Sequence, residues 1–97
     1  MFALELAFST DPDDQAARLA ARPAHREAMA TLREQGKVLV GGPWADGTGA
    51  LIVFLVNSVE EAKSLVAADP YFSTRGVEVV ALREWDGVTR HDAVADL

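Results

Sequence analysis

The sequence contains no cysteine, and aromatic residues make up only 7% of its 97 positions. Without cysteine, the chain can form neither disulfides nor thiolate metal sites. No segment reaches the roughly 20 apolar residues that a membrane-spanning helix needs. The stretch MFALELAF at the start is short, carries Glu5 and has no basic lead-in, which is not the pattern of a secretory signal. These absences predict a cytoplasmic protein without a membrane partner.

Basic residues are few as well, with nine Lys and Arg against fifteen Asp and Glu, for a net charge of −6. Because the basic residues are scattered, we expect no nucleic-acid partner. No H-E-x-x-H pattern occurs, and GGPWADGTG does not open a helix, so we expect no metal site and no cofactor. The length fits one domain over 1–97, with a core over 2–85 and a polar tail over 86–97. The tail holds His91 and Asp92, a pair that we interpret as solvated surface.

Four segments have the patterns of strands. Residues 2–8 alternate between strongly apolar and weaker positions, and KVLVGG at 37–42 forms a second apolar stretch. The loop GGPWADGTG follows, in which Asp46-Gly47 is a hairpin signal. Residues 50–56 are continuously apolar, which is typical of a strand covered on both faces. The last strand is expected over 76–85.

The first helix is predicted to begin after residue 9. Thr10 or Asp11 can cap it, and Pro12 suits its first position. Pro23 would remove a backbone hydrogen bond inside a helix, so we expect it to start a second helical segment or to form a sharp kink. That segment is expected to run to Gly36, which supplies a left-handed C-terminal cap.

Another helix is expected over 57–69, capped by Asn57 or Ser58 and ended by Pro70. The order is then βαββαβ, an α+β fold of the ferredoxin-like type, with one antiparallel sheet and both helices on one face. The third and fourth strands are apolar on both faces, although helices can cover only one of them. A second copy packed sheet to sheet would cover the other, so we expect a homodimer.

His25 is the candidate reactive group. It shares a helix face with Met29 and Leu32, which predicts that it points toward the core. If Pro23 starts a helix, His25 lies in the first turn, where the helix dipole keeps the imidazole neutral. Asp69, held by the following proline, is the candidate partner that would fix the tautomer. The alternative is that His25 is a satisfied core residue and Asp69 a turn and cap residue.

Four other residues are candidates for substrate binding, each with a plainer explanation. Arg22 can bind a carboxylate or lie exposed. Gly42, with Gly41, can present backbone N–H groups to an oxyanion or simply form a turn. Trp44 can roof a pocket or pack on a dimer partner. Tyr71 can donate a hydrogen bond to a ligand or pack over the helix end.

Four segments together resemble the YCII family (YciI-like proteins) of the dimeric α+β barrel superfamily, over about residues 2–85. They are RPAHREAM, LREQGKVLVGGP, SVEEAKSLVAADPYF and VEVVALREW. The resemblance implies a ferredoxin-like protomer, a homodimer built sheet to sheet, and an active site around His25 and Asp69. Relatives in the wider superfamily include muconolactone isomerase and other enzymes that move protons or eliminate groups.

That analogy leads to two hypotheses. In the first, the protein is an isomerase- or lyase-type enzyme without a cofactor, acting on a small cyclic or carbonyl-bearing molecule. His25 would be the base and Asp69 its orienting partner, with loop 41–46 and Tyr71 lining the pocket. In the second, the protein is a non-catalytic dimeric module that binds a metabolite or regulates a partner. The enzyme requires one nitrogen of His25 on Asp69 and the other facing an open cavity.

Overall fold

A computed structural model describes residues 1–89 and 91 of the chain. Asp92 of the predicted surface pair lies outside these residues. The elements alternate in the predicted order, with one additional short 3₁₀ helix before the last strand. They are β1 (Phe2–Phe8), α1 (Pro12–Glu34), β2 (Val38–Pro43), β3 (Gly49–Phe54), α2 (Val59–Ala68), the 3₁₀ helix (Pro70–Ser73) and β4 (Val77–Glu84).

The four strands form one antiparallel sheet in the order β2-β3-β1-β4. β1 and β3 lie at its centre, and each βαβ half contributes one central and one edge strand. This is the ferredoxin-like α+β arrangement, so the predicted fold class is confirmed. In the described part of the chain, no helix has the combination of length and apolar character that a bilayer crossing needs.

The core lies on the helix-facing side of the sheet and follows the alternation of β1. Phe2, Leu4 and Leu6 are buried, and Glu5 between them is exposed. Phe54 of β3, which lies opposite Phe2, is fully buried. Fully burying an aliphatic or phenyl side chain contributes about 1.5–3 kcal/mol, so this row of side chains fixes which face of the sheet receives the helices.

α1 is one continuous helix, so the prediction that Pro23 starts a second helical segment is wrong. Its start is as predicted, because the Asp11 carboxylate accepts from the backbone N–H groups of Asp13 and Asp14 and Pro12 takes the first position. A proline inside a helix costs about 3 kcal/mol. Alanine-rich flanks favour the helix, and residues on both sides of Pro23 pack against the core, which offsets that cost.

The C-terminus of α1 is a Schellman motif, as the glycine at position 36 predicted. Gly36 has φ +73°. Its N–H donates to the carbonyl of Arg33, and the N–H of Lys37 donates to the carbonyl of Leu32. The last turn of α1 is therefore satisfied before the chain enters β2.

The hairpin between β2 and β3 turns at the predicted Asp46-Gly47 pair. Gly47 has φ +75°, and its N–H donates to the carbonyl of Trp44 at 2.9 Å. The Asp46 carboxylate accepts from both the hydroxyl and the N–H of Thr48, which holds the pKa of Asp46 below its ordinary value. The turn is thus held by its own polar groups.

A bulge in β4 changes the face assignment that the sequence pattern indicated. Ala81 lies opposite Glu5, but Val79 lies opposite Leu6, so Val80 has no partner residue in β1. The pattern predicted Val79 and Ala81 on one face. The extra residue places them on opposite faces, because an inserted residue reverses the alternation beyond it.

The first turn of α1 is tied to the loop before β4. The Ser9 hydroxyl donates to one oxygen of Asp14 at 2.8 Å, and Arg75 Nε donates to the other. The Ser9 hydrogen bond, followed by the bond from Arg75, holds the pKa of Asp14 below its ordinary value. This clamp joins the two halves of the repeat away from the candidate site.

Candidate active site

The structure brings His25 and Asp69 into direct contact. Nδ1 of His25 lies 2.6 Å from Oδ2 of Asp69, and the two side chains are 13% and 7% exposed. His25 comes from the middle of α1 and Asp69 from the junction between α2 and the 3₁₀ helix. Since α1 does not begin at Pro23, the helix-dipole argument for a neutral imidazole does not apply to His25. The feature of the structure that bears on the tautomer of His25 is its contact with Asp69.

Asp69 is held by the backbone around it. α2 ends at Ala68, and Pro70 starts the 3₁₀ helix with Asp69 as its N-cap. Oδ1 of Asp69 accepts from the N–H of Tyr71 at 3.0 Å, which leaves Oδ2 for His25. Both carboxylate oxygens therefore have donors, as a buried carboxylate requires.

Two aromatic rings fix the plane of the imidazole. Tyr71 stacks on His25 with ring centroids 4.1 Å apart and planes 14° apart. Phe72 meets the same ring edge-on at 5.3 Å and 77°. These contacts restrict rotation of the ring about its side-chain bonds, so that Nε2 is held in one direction.

The hydrogen bond to Asp69 also sets the proton on the ring. An ionised carboxylate only accepts, so in the state with an ionised Asp69 and a neutral ring the hydrogen lies on Nδ1 and Nε2 has a free lone pair. No described residue bonds to Nε2. Within residues 1–89 and 91, only Arg18 Nε is a buried side-chain nitrogen or oxygen without a partner, so Nε2 retains contact with solvent. The arrangement places a basic nitrogen at an accessible surface.

That surface is the wall of a cavity of about 560 Å³ between α1 and the sheet. It exists because α1 has no fully buried residue and its small and long polar side chains do not fill the space above the strands. Phe8, Met29 and Ile52 supply apolar wall, and Gly41 and Gly42 of β2 supply backbone. The volume lies in the range of pockets for small organic ligands.

The predicted binding residues divide into two groups. Arg22, Gly42 and Tyr71 line the cavity together with His25. Gly41 and Gly42 lie within β2 and not in a turn. Trp44 does not line the cavity: it is exposed at the hairpin, where its N–H donates to the carbonyl of Gly49. In the described residues, no group of three or more His, Cys, Asp or Glu side chains is placed to hold a metal ion.

Comparison with known proteins agrees with this geometry. The YCII-related domain matches residues 1–86. The chain belongs to the YCII family. This YCII chain is 30% identical to protein YciI of Escherichia coli O6:H1, with 73% of this chain and 83% of that protein covered. It is 31% identical to protein YjpA of Bacillus subtilis strain 168, with 63% of this chain and 71% of that protein covered.

A solved structure shares the fold of this YCII chain. It is the 5-chloro-2-hydroxyhydroquinone dehydrochlorinase TftG of Burkholderia phenoliruptrix AC1100, in complex with 2,5-dihydroxybenzoquinone. The match has a TM-score of 0.68 and 23% identity, and it covers 89% of this chain and 94% of TftG. At 23% identity this likeness shows the fold alone.

Three arginines that line the cavity of the YCII chain were missed by the sequence analysis, namely Arg18, Arg26 and Arg33. Arg18, Arg22 and Arg26 are spaced four residues apart, which places them on one helix face. The spacing was visible in the sequence. It was not counted because the expected break at Pro23 separated Arg18 and Arg22 from Arg26, so the run belonged to no single helix.

Arg18 is the deepest of these arginines. Its guanidinium carbon lies 4.2 Å from the centroid of the Phe8 ring, which is a cation–π distance. Its Nε is buried without a hydrogen-bond partner. A buried donor left unsatisfied costs about 1–3 kcal/mol, so Arg18 Nε is a polar group whose hydrogen-bonding capacity the described residues leave unused.

Proposed function

We propose that this YCII-family protein is a small-molecule enzyme in which His25 is the general base and Asp69 its orienting partner. The observation that carries the proposal is the 2.6 Å bond between Nδ1 and Asp69, made by a ring that lines the cavity and whose Nε2 has no partner among the described residues. The reaction is of the isomerase or lyase type, and the residues themselves supply its acid–base chemistry without a cofactor. The cytoplasmic location expected from the sequence stays a prediction.

The chemistry begins with proton transfer to Nε2 from a C–H or O–H group activated by a neighbouring carbonyl or ring. The electron pair left behind delocalises into the substrate, and Asp69 stabilises the imidazolium across Nδ1. In an isomerisation, the imidazolium returns the proton to another atom of the substrate. In an elimination, the electron pair expels a leaving group such as chloride, and the proton is later lost to solvent.

The elimination branch draws support from the fold neighbour, whose name denotes loss of hydrogen chloride from a chlorinated hydroxyhydroquinone. At 23% identity the likeness concerns the fold, so the reaction of this chain is our inference from His25, Asp69 and the cavity. The alternative, a non-catalytic module, predicts an imidazole with both nitrogens bonded to protein. Here one nitrogen is bonded and one is open to solvent.

The test is a proton-exchange assay in D₂O followed by NMR, with a panel of cyclic enols, lactones and chlorinated hydroquinones. The wild type is expected to incorporate deuterium or release chloride from at least one compound. His25→Ala should lower that rate by about 10²–10⁴-fold, the usual contribution of a general base. Lys63→Gln, an exposed change on α2 outside the cavity, is the control and should leave the rate unchanged. Equal rates in His25→Ala and wild type would refute the proposal, as would a wild type inert toward the whole panel.

We also propose that two copies pair through the sheet face opposite the helices. Val40 and Val80 are 59% and 50% exposed, and Val40 lies opposite Val53 on that face. Sedimentation velocity should give twice the chain mass for the wild type. Val40→Glu should give the monomer mass, whereas Val59→Glu on the exposed side of α2 should not. A monomeric wild type would contradict the pairing.

A further inference from the structure

The cavity wall has a charge opposite to that of the whole protein. The chain has a net charge of −6 and nine Lys and Arg residues, yet four of its arginines line this one cavity and none of the described Asp and Glu residues does. The four are Arg18, Arg22, Arg26 and Arg33. A wall of one sign focuses the field within a cleft and attracts ligands of the other sign.

None of the four arginines has an ion pair with a described residue. Elsewhere the chain does pair its cations, since Arg75 bonds to Asp11 and Asp14, and Lys37 lies 4.0 Å from Glu61. The cavity arginines are therefore cations that no described carboxylate neutralises, although the sequence is rich in acidic residues. Arg18 and Arg22 are also partly buried, and Arg18 Nε is fully so.

The helix geometry places these cations beside the base. With roughly 100° of rotation per residue, the four arginines and His25 fall within an arc of roughly 100° on α1. Arg22 precedes His25 by three residues, so the two side chains are neighbours across one turn. An anionic group held by Arg22 would keep the atoms next to it within reach of Nε2.

The remaining wall is apolar, formed by Leu6, Phe8, Met29 and Ile52. A ligand that satisfies both surfaces needs an acidic group at one side and an apolar body of about one ring at the other. A guanidinium fork matches a carboxylate in shape and charge.

We propose that the substrate of this site is a small organic carboxylate, with its carboxylate on Arg18 and Arg22 and its ring or chain against the apolar wall. This identification rests on the proposed use of the same cavity as an active site. Arg26 and Arg33, which are exposed at the outer part of α1, attract the anion toward the opening.

The experiment compares two ligands of nearly equal shape, benzoate and benzamide, by NMR titration and calorimetry. Wild type should bind benzoate about tenfold more tightly or better, the ratio that 1.4 kcal/mol of charge-assisted bonding produces. Arg22→Gln should bring the benzoate-to-benzamide ratio close to one, and Arg18→Gln should do the same if it folds. Lys63→Gln makes the same change of charge but lies outside the cavity, so it should retain the wild-type ratio.

Equal affinity for benzoate and benzamide in wild type would overturn the proposal, as would an equal loss of the preference in Lys63→Gln. Inorganic phosphate that matched benzoate would also overturn it, because the apolar wall would then contribute nothing. His25→Ala separates the two proposals, since it should keep the benzoate preference while losing turnover. If the wild type prefers benzoate but shows no turnover that depends on His25, only the role of His25 as general base is refuted. If turnover depends on His25 but benzoate is not preferred, only the proposal of a carboxylate substrate is refuted.

Discussion

Replacing Asp69 with asparagine tests the candidate site most directly. The substitution keeps the shape of the side chain and removes one acceptor. In the wild type, Oδ1 accepts from the N–H of Tyr71 at 3.0 Å and Oδ2 accepts from His25 at 2.6 Å. An asparagine has a single oxygen for these two donors, and its NH₂ must face the other one.

The backbone of Tyr71 cannot change its donor, whereas the imidazole can move its proton. We therefore expect the amide oxygen to face Tyr71 and the NH₂ to face Nδ1 of His25. The ring hydrogen then moves to Nε2, which becomes a donor toward the cavity and cannot act as a base. A charge-assisted hydrogen bond is replaced by a neutral one, a loss of about 1–2 kcal/mol, or roughly 4–16 °C in Tm for a chain of this size.

Two measurements check this prediction. A ¹⁵N–¹H correlation spectrum of the imidazole rings in alkaline buffer reports which nitrogen carries the hydrogen, and urea unfolding reports the stability. Asp86→Asn, an exposed change beyond β4, is the matched control and should alter neither. An Asp69→Asn variant with hydrogen still on Nδ1 and wild-type turnover would show that the contact with Asp69 does not set the tautomer.

Three further predictions concern the rest of the molecule. Gly76→Ala should destabilise more than Gly36→Ala. Both residues have positive φ, at +88° and +73°, but a Cβ at Gly76 would lie 2.7 Å from the Cβ of Asp14, whereas nothing lies within 4 Å at Gly36. The strain of a positive φ, about 1–2 kcal/mol, is common to both variants, so the contact with Asp14 accounts for the difference between them. Equal unfolding midpoints in urea would therefore contradict that contact. Asp14→Asn should lower stability at neutral pH, because the folded-state pKa of this carboxyl is depressed. The stabilisation from the Asp14 carboxylate is present above its ordinary pKa of 3.8 and is lost as pH falls through the lower folded-state pKa. The unfolding curves of Asp14→Asn and wild type should therefore converge in strong acid. A gap between them that stays constant with pH would count against the clamp. Trp44→Ala should leave benzoate affinity unchanged within about twofold, since Trp44 lies outside the cavity; calorimetry that shows a large loss would place this residue at the site.

The fold was accessible from the sequence because its signals are local. The alternation from Phe2 to Phe8, the cap at Asp11 and the glycine at position 36 each act within one strand or turn, and each has its predicted role in the structure. The bulge at Val80 was not accessible, since a strand that is apolar on both faces has no pattern from which a shift of one residue can be recognised.

The candidate site was only partly accessible, and one residue accounts for most of the difference. Pro23 has a strong local penalty, but packing on both sides of it outweighs that penalty in the folded chain. Reasoning from the sequence weighed only the local penalty of Pro23. It therefore divided α1 and overlooked that Arg18, Arg22 and Arg26 share one helix face. The contact between His25 and Asp69 was found despite an incorrect reason, because the core-facing stripe that holds His25 is the same in either helix.

Pro23 has one more consequence. It has no N–H to donate to the carbonyl of Leu19, so the ladder of α1 lacks one bond between two groups of functional side chains. Arg18 and Arg22 precede the interruption, and His25 follows it. The helix nevertheless stays continuous across Pro23, so the cations that would bind the acid and the imidazole that would take its proton keep a fixed spacing along a single rod.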